Sequence, residues 1–338
     1  MITEKRGLVI LPRFLQRRRR SGQNRRRVET NFQKQAFFRD FIRPSLICVQ
    51  CSMKSLVCRR ERIDADRVSQ FHATPGDNDR NDEKGCRMTP RPVRTRIFVV
   101  SMANAGERRR TFASGAGAAG VKWDFFDAWD RLHPELSYDE DAAIVAKGRP
   151  LRQGELGCYS SHFALWMQLI ADPDADQYVV LEDDVIVDWD YLARFAAVDH
   201  GLSGHDYIRL YYKKPAPSRV IAKDFVCRAT WLTEVSGYCF GTQGYLITRA
   251  GAQRLAGHCR EVRRPIDDEL DRSWIHGVRN LSVFPFPLME RKVESGIGLQ
   301  RFERFPVPRR LKLQRFVART RERAGYQLFG RRRFRFQR

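Results

Sequence analysis

Three consecutive acidic residues, Glu182, Asp183 and Asp184, directly follow the apolar run 178–181. The run is short and rich in β-branched residues, which predicts a buried strand rather than a helix. Because side chains alternate across a strand, we expect Glu182 and Asp184 on one face and Asp183 on the other. Adjacent carboxylates repel one another, and a divalent cation is the simplest group that offsets this repulsion. Hard oxygen ligands favour Mg²⁺ or Mn²⁺, which bind phosphate oxygens in turn.

The acidic cluster also has two explanations that involve no metal. The carboxylates can belong to a solvated turn that follows the strand, or they can be neutralised by arginine side chains. Both alternatives remain open for a run of three acids, because such runs are common on protein surfaces. The choice between them and a metal site therefore depends on the other segments of the chain.

A group of arginines stands near the front of a predicted helix. Arg108, Arg109 and Arg110 follow Glu107, where the helix is expected to begin after the strand 96–102. Helix N-termini favour anions, and arginine binds phosphate through paired hydrogen bonds. These residues are therefore candidates for phosphate contact, and a solvated first turn is the alternative.

One histidine lies in a strongly apolar helical segment. Gly157 precedes residues 158–170, whose apolar side chains recur with helical spacing, and Ser160 and Ser161 are suitable caps for its start. His162 then falls in the first turn, where a histidine is more often structural than catalytic. No Ser/His/Asp triad can be argued from it.

Two later segments add candidates. Residues 236–249 predict a glycine-rich turn that leads into a strand at 244–248, and glycine permits close approach of a ligand to the backbone. The spacing of its glycines does not match the dinucleotide-binding fingerprint. After Pro265, Asp267 and Asp268 open a short predicted helix, where acids are favoured by the helix dipole. One of them is also a candidate general base.

The remaining elements predict an α/β fold with a parallel sheet. Strand, helix and strand succeed one another from residue 96 to 130, and strands are also expected at 205–212 and 278–291. Residues 213–235 predict a loop with strand fragments. Lys213 within it is either a phosphate contact or a solvated lysine.

The net charge of +22 divides the chain into three parts. Residues 1–90 contain 21 Lys/Arg and 10 Asp/Glu, residues 301–338 contain 14 and 2, and the middle contains 27 and 28. We expect a disordered or non-native basic extension at 1–90, the functional domain at 91–300 and a basic tail at 301–338, with both ends disordered or poorly structured. A nucleic-acid-binding protein is the alternative that the charge suggests, but the near-neutral middle argues against it, so nucleic acid is not an expected partner.

The basic tail has apolar residues interleaved with its arginines, which predicts an amphipathic segment suited to the anionic face of a membrane. RNA contact and a solvated, poorly structured tail are the alternatives. No run approaches the roughly 18 apolar residues of a spanning helix, and the order of charges near the start differs from that of a signal peptide. We therefore expect a cytoplasmic protein with its eight cysteines as thiols, and the inner face of the membrane is the peripheral location that the tail suggests.

The order of these motifs resembles glycosyltransferase family 25, the lipooligosaccharide-synthesising enzymes related to the collagen galactosyltransferases. The resemblance covers roughly residues 96–300 and is carried by five strings in order: RIFVVSMANAGERR, RQGELGCYSSHFALW, YVVLEDDVIV, GTQGYLITRAGAQRL and PIDDEL. It implies a GT-A-like, Rossmann-type α/β fold with a mostly parallel sheet flanked by helices. It also implies inverting transfer of a hexose, usually galactose, from a UDP-sugar to a lipopolysaccharide or lipooligosaccharide acceptor.

The resemblance assigns roles to particular residues. Glu182 and Asp184 would hold Mn²⁺ or Mg²⁺, and Asp267 would be the base, with Asp183 and Asp268 as alternatives. The sequence departs from the family in the turn around Asn104, which puts donor contacts there in doubt. The residues implied to contact the donor are Ser101, Arg108, His162, Gly241 and Tyr245.

Overall fold

The computed structural model describes residues 92–117, 120–291 and 305–330, all of which belong to one compact unit at 85–338. The predictions made for residues 1–90 lie outside the described residues. Within the described ranges, no helix combines the length and the apolar character needed to cross a membrane.

Twelve strands are assigned in the described residues, and eight of them form one sheet. Two pairs of short strands lie outside it, β3 with β10 and β5 with β12. The strands are β1 Thr95–Ser101, β2 Asp124–Asp127, β3 Ser137–Tyr138, β4 Gln177–Glu182, β5 Val185–Val187, β6 Tyr207–Arg209, β7 Ser218–Lys223, β8 Trp231–Val235, β9 Gly244–Thr248, β10 Glu261–Val262, β11 Leu281–Phe284 and β12 Leu288–Glu290.

The order of strands in the main sheet is β2-β1-β4-β9-β6-β11-β8-β7. Strands β9 and β8 run antiparallel to both of their neighbours, and the other pairs are parallel. Six of the eight strands therefore point the same way. The predicted α/β class with a mostly parallel sheet is confirmed, and the carboxyl ends of β1 and β4 meet at one edge, where ligands of such sheets usually bind.

Helices cover both faces of the sheet. They are α1 Gly106–Gly115, α2 Glu140–Lys147, α3 Gln153–Ala171, α4 Trp189–Ala196, α5 Arg249–His258, α6 Ile266–Leu270, α7 Ser273–His276 and α8 Lys312–Gly325, with a 3₁₀ turn at Arg309–Leu311 and a π-helical turn at Tyr326–Gly330.

Strand β4 is buried on both faces, which explains its continuous apolar run. Tyr178 and Val180 point into the core beneath α3 and α5. Val179 and Leu181 point into the opposite core beneath α1 and α4. The strand therefore delivers its carboxyl-terminal residue, Glu182, from the centre of the molecule.

Helix α3 begins earlier than the sequence indicates, at Gln153. Its first turn is closed by a capping box in which the Glu155 carboxylate accepts a hydrogen bond from the Arg152 backbone N–H at 3.0 Å. Ser160 and Ser161 are consequently in the middle of the helix, and they do not cap it. Instead their hydroxyls accept hydrogen bonds from the backbone of the loop that contains Trp129, so they attach this loop to the helix.

Two further segments differ from the expectations. Residues 213–235, predicted as a loop with strand fragments, contain the antiparallel strands β7 and β8 at the edge of the main sheet. The carboxyl-terminal tail is not poorly structured over the described part, because 309–330 is helical and contacts the body of the protein through α2.

Gly157 lets α3 approach the loop before it, and this contact gives a test of the packing. A Cβ at Gly157 would overlap the backbone carbonyl of Trp129, whereas a Cβ at Gly257 in α5 would meet nothing within 4 Å. We expect Gly157→Ala to lower the free energy of unfolding by about 1–3 kcal/mol through overpacking. Gly257→Ala should leave it unchanged or raise it by up to about 1 kcal/mol. Urea unfolding of both variants measures this, and equal midpoints would contradict the packing.

Candidate active site

The three acids lie where β4 gives way to a turn. Glu182 is the last residue of β4, Asp183 and Asp184 form the turn, and β5 begins at Val185. Because the strand ends at Glu182, its alternation does not extend through the turn. The segment after β12 covers the turn, since the Arg291 backbone N–H donates to the Asp184 carbonyl at 2.7 Å.

Asp183 is held on both of its carboxylate oxygens. The Ser101 hydroxyl donates to Oδ2 at 2.6 Å, and the Arg108 guanidinium donates to Oδ1. The residue is only 5% exposed. These contacts join the ends of β1 and β4 to the first turn of α1, which favours a positioning role for Asp183 over proton abstraction.

Arg108 lies between two of the acids. Its guanidinium pairs with Asp183 and lies 3.7 Å from Asp184 Oδ2. The side chain is 37% exposed, so it remains accessible to an anion while it is paired. The neighbouring Arg109 points away to Asp127 and to the carbonyl of Ser101. Of these two arginines, Arg108 is the one at the acid turn.

Glu182 is partly buried, and its carboxylate accepts a hydrogen bond from the Thr242 hydroxyl in the loop before β9. Burial and the nearby charge of Asp184 raise the pKa of the Glu182 carboxyl to about 7. Burial also raises the pKa of Asp184, and the Arg108 charge opposes this effect. Both carboxyls therefore hold a proton more readily than an exposed carboxyl does.

A buried ion pair fixes the loop that carries Thr242. Arg209 donates to Asp271 at 2.8 Å and to the Gly241 carbonyl at 2.7 Å, and Asp271 also accepts from the Phe240 N–H at 2.8 Å. Gly241 has φ +99°, a conformation that favours glycine. Gly241 was predicted to contact the sugar donor. In the structure its carbonyl accepts a hydrogen bond from Arg209, which holds the loop that carries Thr242.

His162 and Tyr245 lie beneath the acid turn. His162 is 1% exposed and Tyr245 is 0% exposed. His162 Nδ1 is 3.0 Å from the Tyr245 hydroxyl, to which the Trp166 indole donates at 3.0 Å. Burial lowers the pKa of His162 to about 4, so the ring is neutral at physiological pH. Both residues were predicted to contact the donor, but in this structure neither presents a surface to solvent.

Helix α6 carries Asp267 in its first turn. Burial raises the pKa of the Cys158 thiol, and the charges of Glu182 and Asp267 add to this rise. Asp267 Oδ1 accepts a hydrogen bond from the Asp268 N–H at 2.9 Å. Asp268 is engaged by Lys147, and its burial raises its pKa to about 6.

Lys213 is a basic residue of the site that the sequence did not distinguish from a solvated lysine. Its ammonium pairs with Glu290 at 2.8 Å. Burial lowers the pKa of the Lys213 ammonium. The negative charges of Glu290, Glu182 and Asp184 outweigh this effect, so the pKa is raised. In the sequence, only its position after the strand at 205–212 marked Lys213 as a candidate. Its partner Glu290 lies 77 residues further along the chain, so the pairing has no local pattern.

Four buried polar atoms around the acid turn have no hydrogen-bond partner among the described residues. They are Asp184 Oδ1, Arg108 Nε, Gln243 Oε1 and His162 Nε2. Buried polar groups are nearly always paired, so a group of unpaired ones indicates a place where a ligand, an ion or water completes the bonding. This concentration distinguishes the acid turn from a merely solvated turn.

A separate cavity of about 320 Å³ opens near the β7–β8 edge, away from the acid turn. Its acidic and basic side chains pair with one another, as in Arg254 with Asp206 and Arg279 with Glu234. These pairs explain its polar lining without a ligand. The lining residues are Gly204, Asp206, Arg219, Glu234, Arg254, Gly277 and Arg279.

Comparison with known proteins identifies relatives of the chain. The model of glycosyltransferase family 25, described as a family of LPS biosynthesis proteins, matches residues 94–270. The chain is 31% identical over 187 residues to the lacto-N-neotetraose biosynthesis glycosyltransferase LgtB of Neisseria meningitidis serogroup B, which covers 50% of this chain and 65% of that protein.

Two animal proteins are also similar. A glycosyltransferase 25 family member of Aedes aegypti is 27% identical over 206 residues, covering 54% of this chain and 33% of that protein. The inactive glycosyltransferase 25 family member 3 of Homo sapiens is 26% identical over 188 residues, covering 52% of this chain and 31% of that protein. The chain thus spans about a third of the length of these two relatives.

The raised pKa of Glu182 predicts a pH-dependent stability. The pKa of Glu182 is about 7 in the folded protein, whereas its ordinary value is 4.5. Between these pH values the folded state binds more protons than the unfolded state does. The free energy of unfolding therefore falls as the pH rises through this window. Glu182→Gln removes the effect. In the presence of a chelator we expect the variant to gain roughly 2–3 kcal/mol over the wild type at pH 8 and little at pH 4.

Urea unfolding at the two pH values measures the difference. The control is Glu140→Gln, which changes an exposed acid in the first turn of α2. Its effect on the free energy of unfolding should be small and similar at both pH values. An equal effect of Glu182→Gln at pH 4 and pH 8 would show that Glu182 is ionised normally in the folded state.

Proposed function

Because this chain belongs to glycosyltransferase family 25, we propose that it is an inverting transferase that moves a hexose from a UDP-sugar to a lipopolysaccharide or lipooligosaccharide acceptor. Galactose is the hexose that we propose. The observation that carries the proposal is the acid turn with its unpaired polar atoms, placed beside Arg108 at the carboxyl ends of β1 and β4. Carboxylates for a cation next to an arginine for phosphate fit a nucleoside diphosphate.

A divalent cation fits the residues that are present. Asp184 Oδ1 is buried and unpaired within the described residues, and the Glu182 carboxyl lies close enough for the Asp184 charge to raise its pKa. Both residues offer only hard oxygen ligands, which suits Mn²⁺ or Mg²⁺. We propose that Glu182 and Asp184 hold this ion. When bound, it would supply positive charge that stabilises the negative charge of departing UDP.

The residues around the acids complete the donor site in this proposal. Arg108 binds a diphosphate oxygen with the part of its guanidinium that remains exposed, and Ser101 keeps Asp183 and therefore Arg108 in place. Lys213 adds a second positive charge near Glu182 and Asp184. Thr242 orients Glu182. Positive charge is thereby concentrated where the leaving group develops negative charge, which is the usual means of stabilising such a transition state.

The reaction needs one base on the acceptor side. The acceptor hydroxyl oxygen attacks the anomeric carbon, the bond from that carbon to the diphosphate oxygen breaks, and the hydroxyl proton passes to a carboxylate. We propose Asp267 for this role, because it is partly exposed in the first turn of α6 and its neighbour Asp268 is engaged by Lys147. Asp183 is engaged by Ser101 and Arg108, which leaves Asp267 as the available acid of the three.

We propose that the working enzyme lies peripherally on the anionic inner, cytoplasmic face of a membrane. The carboxyl-terminal helix α8 supports this position. One side of the helix is anchored to the body: Glu322 accepts from the Tyr238 hydroxyl at 2.7 Å and from Arg272 at 2.9 Å, and Arg315 donates to the Ile144 carbonyl at 3.1 Å.

The opposite side of α8 points outward and is apolar. Leu313 is 72% exposed and Phe316 is 68% exposed, and Val317 lies on the same face of the helix. Lys312 and Arg321 are exposed at the borders of this face. An apolar face with basic borders is suited to insertion among anionic headgroups, which would bring the active site near a lipid-linked acceptor.

The metal assignment predicts a specific loss of transfer. With UDP-Gal, UDP-Glc and UDP-GlcNAc as donors, we expect UDP release that requires Mn²⁺ or Mg²⁺. Asp184→Asn should lower kcat by at least about 100-fold, because a cation that stabilises the leaving group contributes several kcal/mol. The control is Asp190→Asn, which changes an exposed acid in the first turn of α4 and should retain activity.

Further outcomes of this assay separate the alternatives. Asp267→Asn should lower kcat while the dependence on Mn²⁺ concentration stays unchanged, because this residue acts on the acceptor. Wild-type activity in Asp184→Asn would reject the metal assignment. A wild-type protein that binds UDP but neither transfers nor hydrolyses any donor with Mn²⁺ would instead be a transferase fold used as a binding module.

The membrane proposal predicts different effects for two exposed leucines. We expect Leu313→Asp to weaken binding of the full chain to phosphatidylserine-containing vesicles by at least about tenfold, since burying a leucine contributes about 1.5–3 kcal/mol. Leu202→Asp, at a leucine that is 82% exposed outside α8, should have no effect. Co-sedimentation measures both, with neutral phosphatidylcholine vesicles as the reference. Equal binding by the two variants would remove α8 from the membrane contact.

A further inference from the structure

A second group of ligand-type side chains lies directly beneath the acid turn. Cys158 and His162 are four residues apart on α3, so they share one face of this helix. Their ligand atoms and a carboxylate oxygen of Glu182 all lie within 4.8 Å of one another. The mechanism proposed above uses Glu182 but has no role for the thiol or the imidazole.

The imidazole has a buried nitrogen that lacks a partner. His162 is 1% exposed, its Nδ1 is 3.0 Å from the Tyr245 hydroxyl, and its Nε2 has no hydrogen bond among the described residues. The Tyr245 oxygen can accept from both Trp166 Nε1 and His162 Nδ1. This tautomer leaves the Nε2 lone pair free, and a metal-bound histidine is usually supported by such a hydrogen bond at its other nitrogen.

We propose that Cys158, His162 and Glu182 form a binding site for Zn²⁺. Thiolate and imidazole ligands select Zn²⁺ over Mg²⁺ and Mn²⁺, so this site differs in chemistry from the carboxylate pair Glu182 and Asp184. Zinc bonds of about 2.0–2.3 Å place tetrahedral ligand atoms about 3.5 Å apart. Ligand atoms that lie within 4.8 Å of one another therefore need to close by about 1 Å. Water would take the fourth position.

The two sites share Glu182, and this has a consequence for activity. Zinc that is held by Cys158 and His162 would draw the Glu182 carboxylate toward α3 and away from Asp184. Zn²⁺ would then inhibit a Mn²⁺-dependent reaction at concentrations far below those of Mn²⁺, because thiolate and imidazole increase its affinity. This consequence rests on the proposed transferase function, whereas zinc binding itself does not.

Cobalt is the probe, because Co²⁺ occupies zinc sites and thiolate ligation gives it a charge-transfer absorption in the near ultraviolet. The full chain is used with Cys48, Cys51, Cys58 and Cys86 replaced by serine in every arm, so that a cysteine pair in residues 1–90 cannot contribute. We expect one equivalent of Co²⁺ to produce the thiolate band and Zn²⁺ to remove it.

Variants assign the band to the site. Cys158→Ser should abolish it, and the matched control Cys227→Ser, at another free and partly exposed thiol, should retain it. His162→Gln keeps the thiol and should weaken Co²⁺ binding at least tenfold, which provides a second test if Cys158→Ser fails to fold by circular dichroism. Absence of the band in the starting protein, or a band that survives Cys158→Ser, would overturn the proposal even if sugar transfer is found.

Discussion

The structure depends on a constraint at the end of β4: a strand that is buried on both faces ends in three adjacent carboxylates. Each acid is treated differently by its surroundings. Asp183 is paired with Arg108, Glu182 is partly buried beside Thr242 with a raised pKa, and Asp184 keeps one oxygen buried and unpaired in the described part of the chain. Repulsion among three ions in a medium of low polarity would be severe. One acid is therefore paired with an arginine, and the pKa values of the other two are raised.

The loop that faces these acids is held in place by a second buried charge pair. Arg209 and Asp271 are 1% and 0% exposed, and breaking such a pair leaves an uncompensated buried charge. Their spare hydrogen bonds go to the backbone at Gly241 and Phe240, where φ is positive at both residues. A backbone in this conformation persists only when its surroundings determine it. The ion pair thus acts on function indirectly, because it sets the position of Thr242 and through it the orientation of Glu182.

The sequence was sufficient where local pattern and tertiary structure agree. The apolar run before Glu182 predicted β4, which the structure contains. The acids that follow this run were the first candidates for the site. Sequence pattern did not predict the structure where contacts between distant residues determine it. Ser160 resembles a cap but holds a distant loop, and the strands at 213–235 alternate too weakly in polarity to be distinguished from loop. The pairing of Arg209 with Asp271, 62 residues apart, has no local signature. Residues that contact the site through such partners could be found only from the structure.

The ligand types on the two sides of Glu182 bear on which of the proposed cations it would bind. On the outer side of Glu182 the nearby ligand is a carboxylate, Asp184, and on the inner side the nearby ligands are a thiol and an imidazole. One side chain therefore lies at the border between a hard and a soft ligand set. The Thr242 hydroxyl engages one oxygen of Glu182, and its loop is fixed by the Arg209 ion pair. Because rotation of Glu182 toward either ligand set changes the geometry of that hydrogen bond, the loop that orients this acid would also influence the relative affinity of the two proposed cation sites.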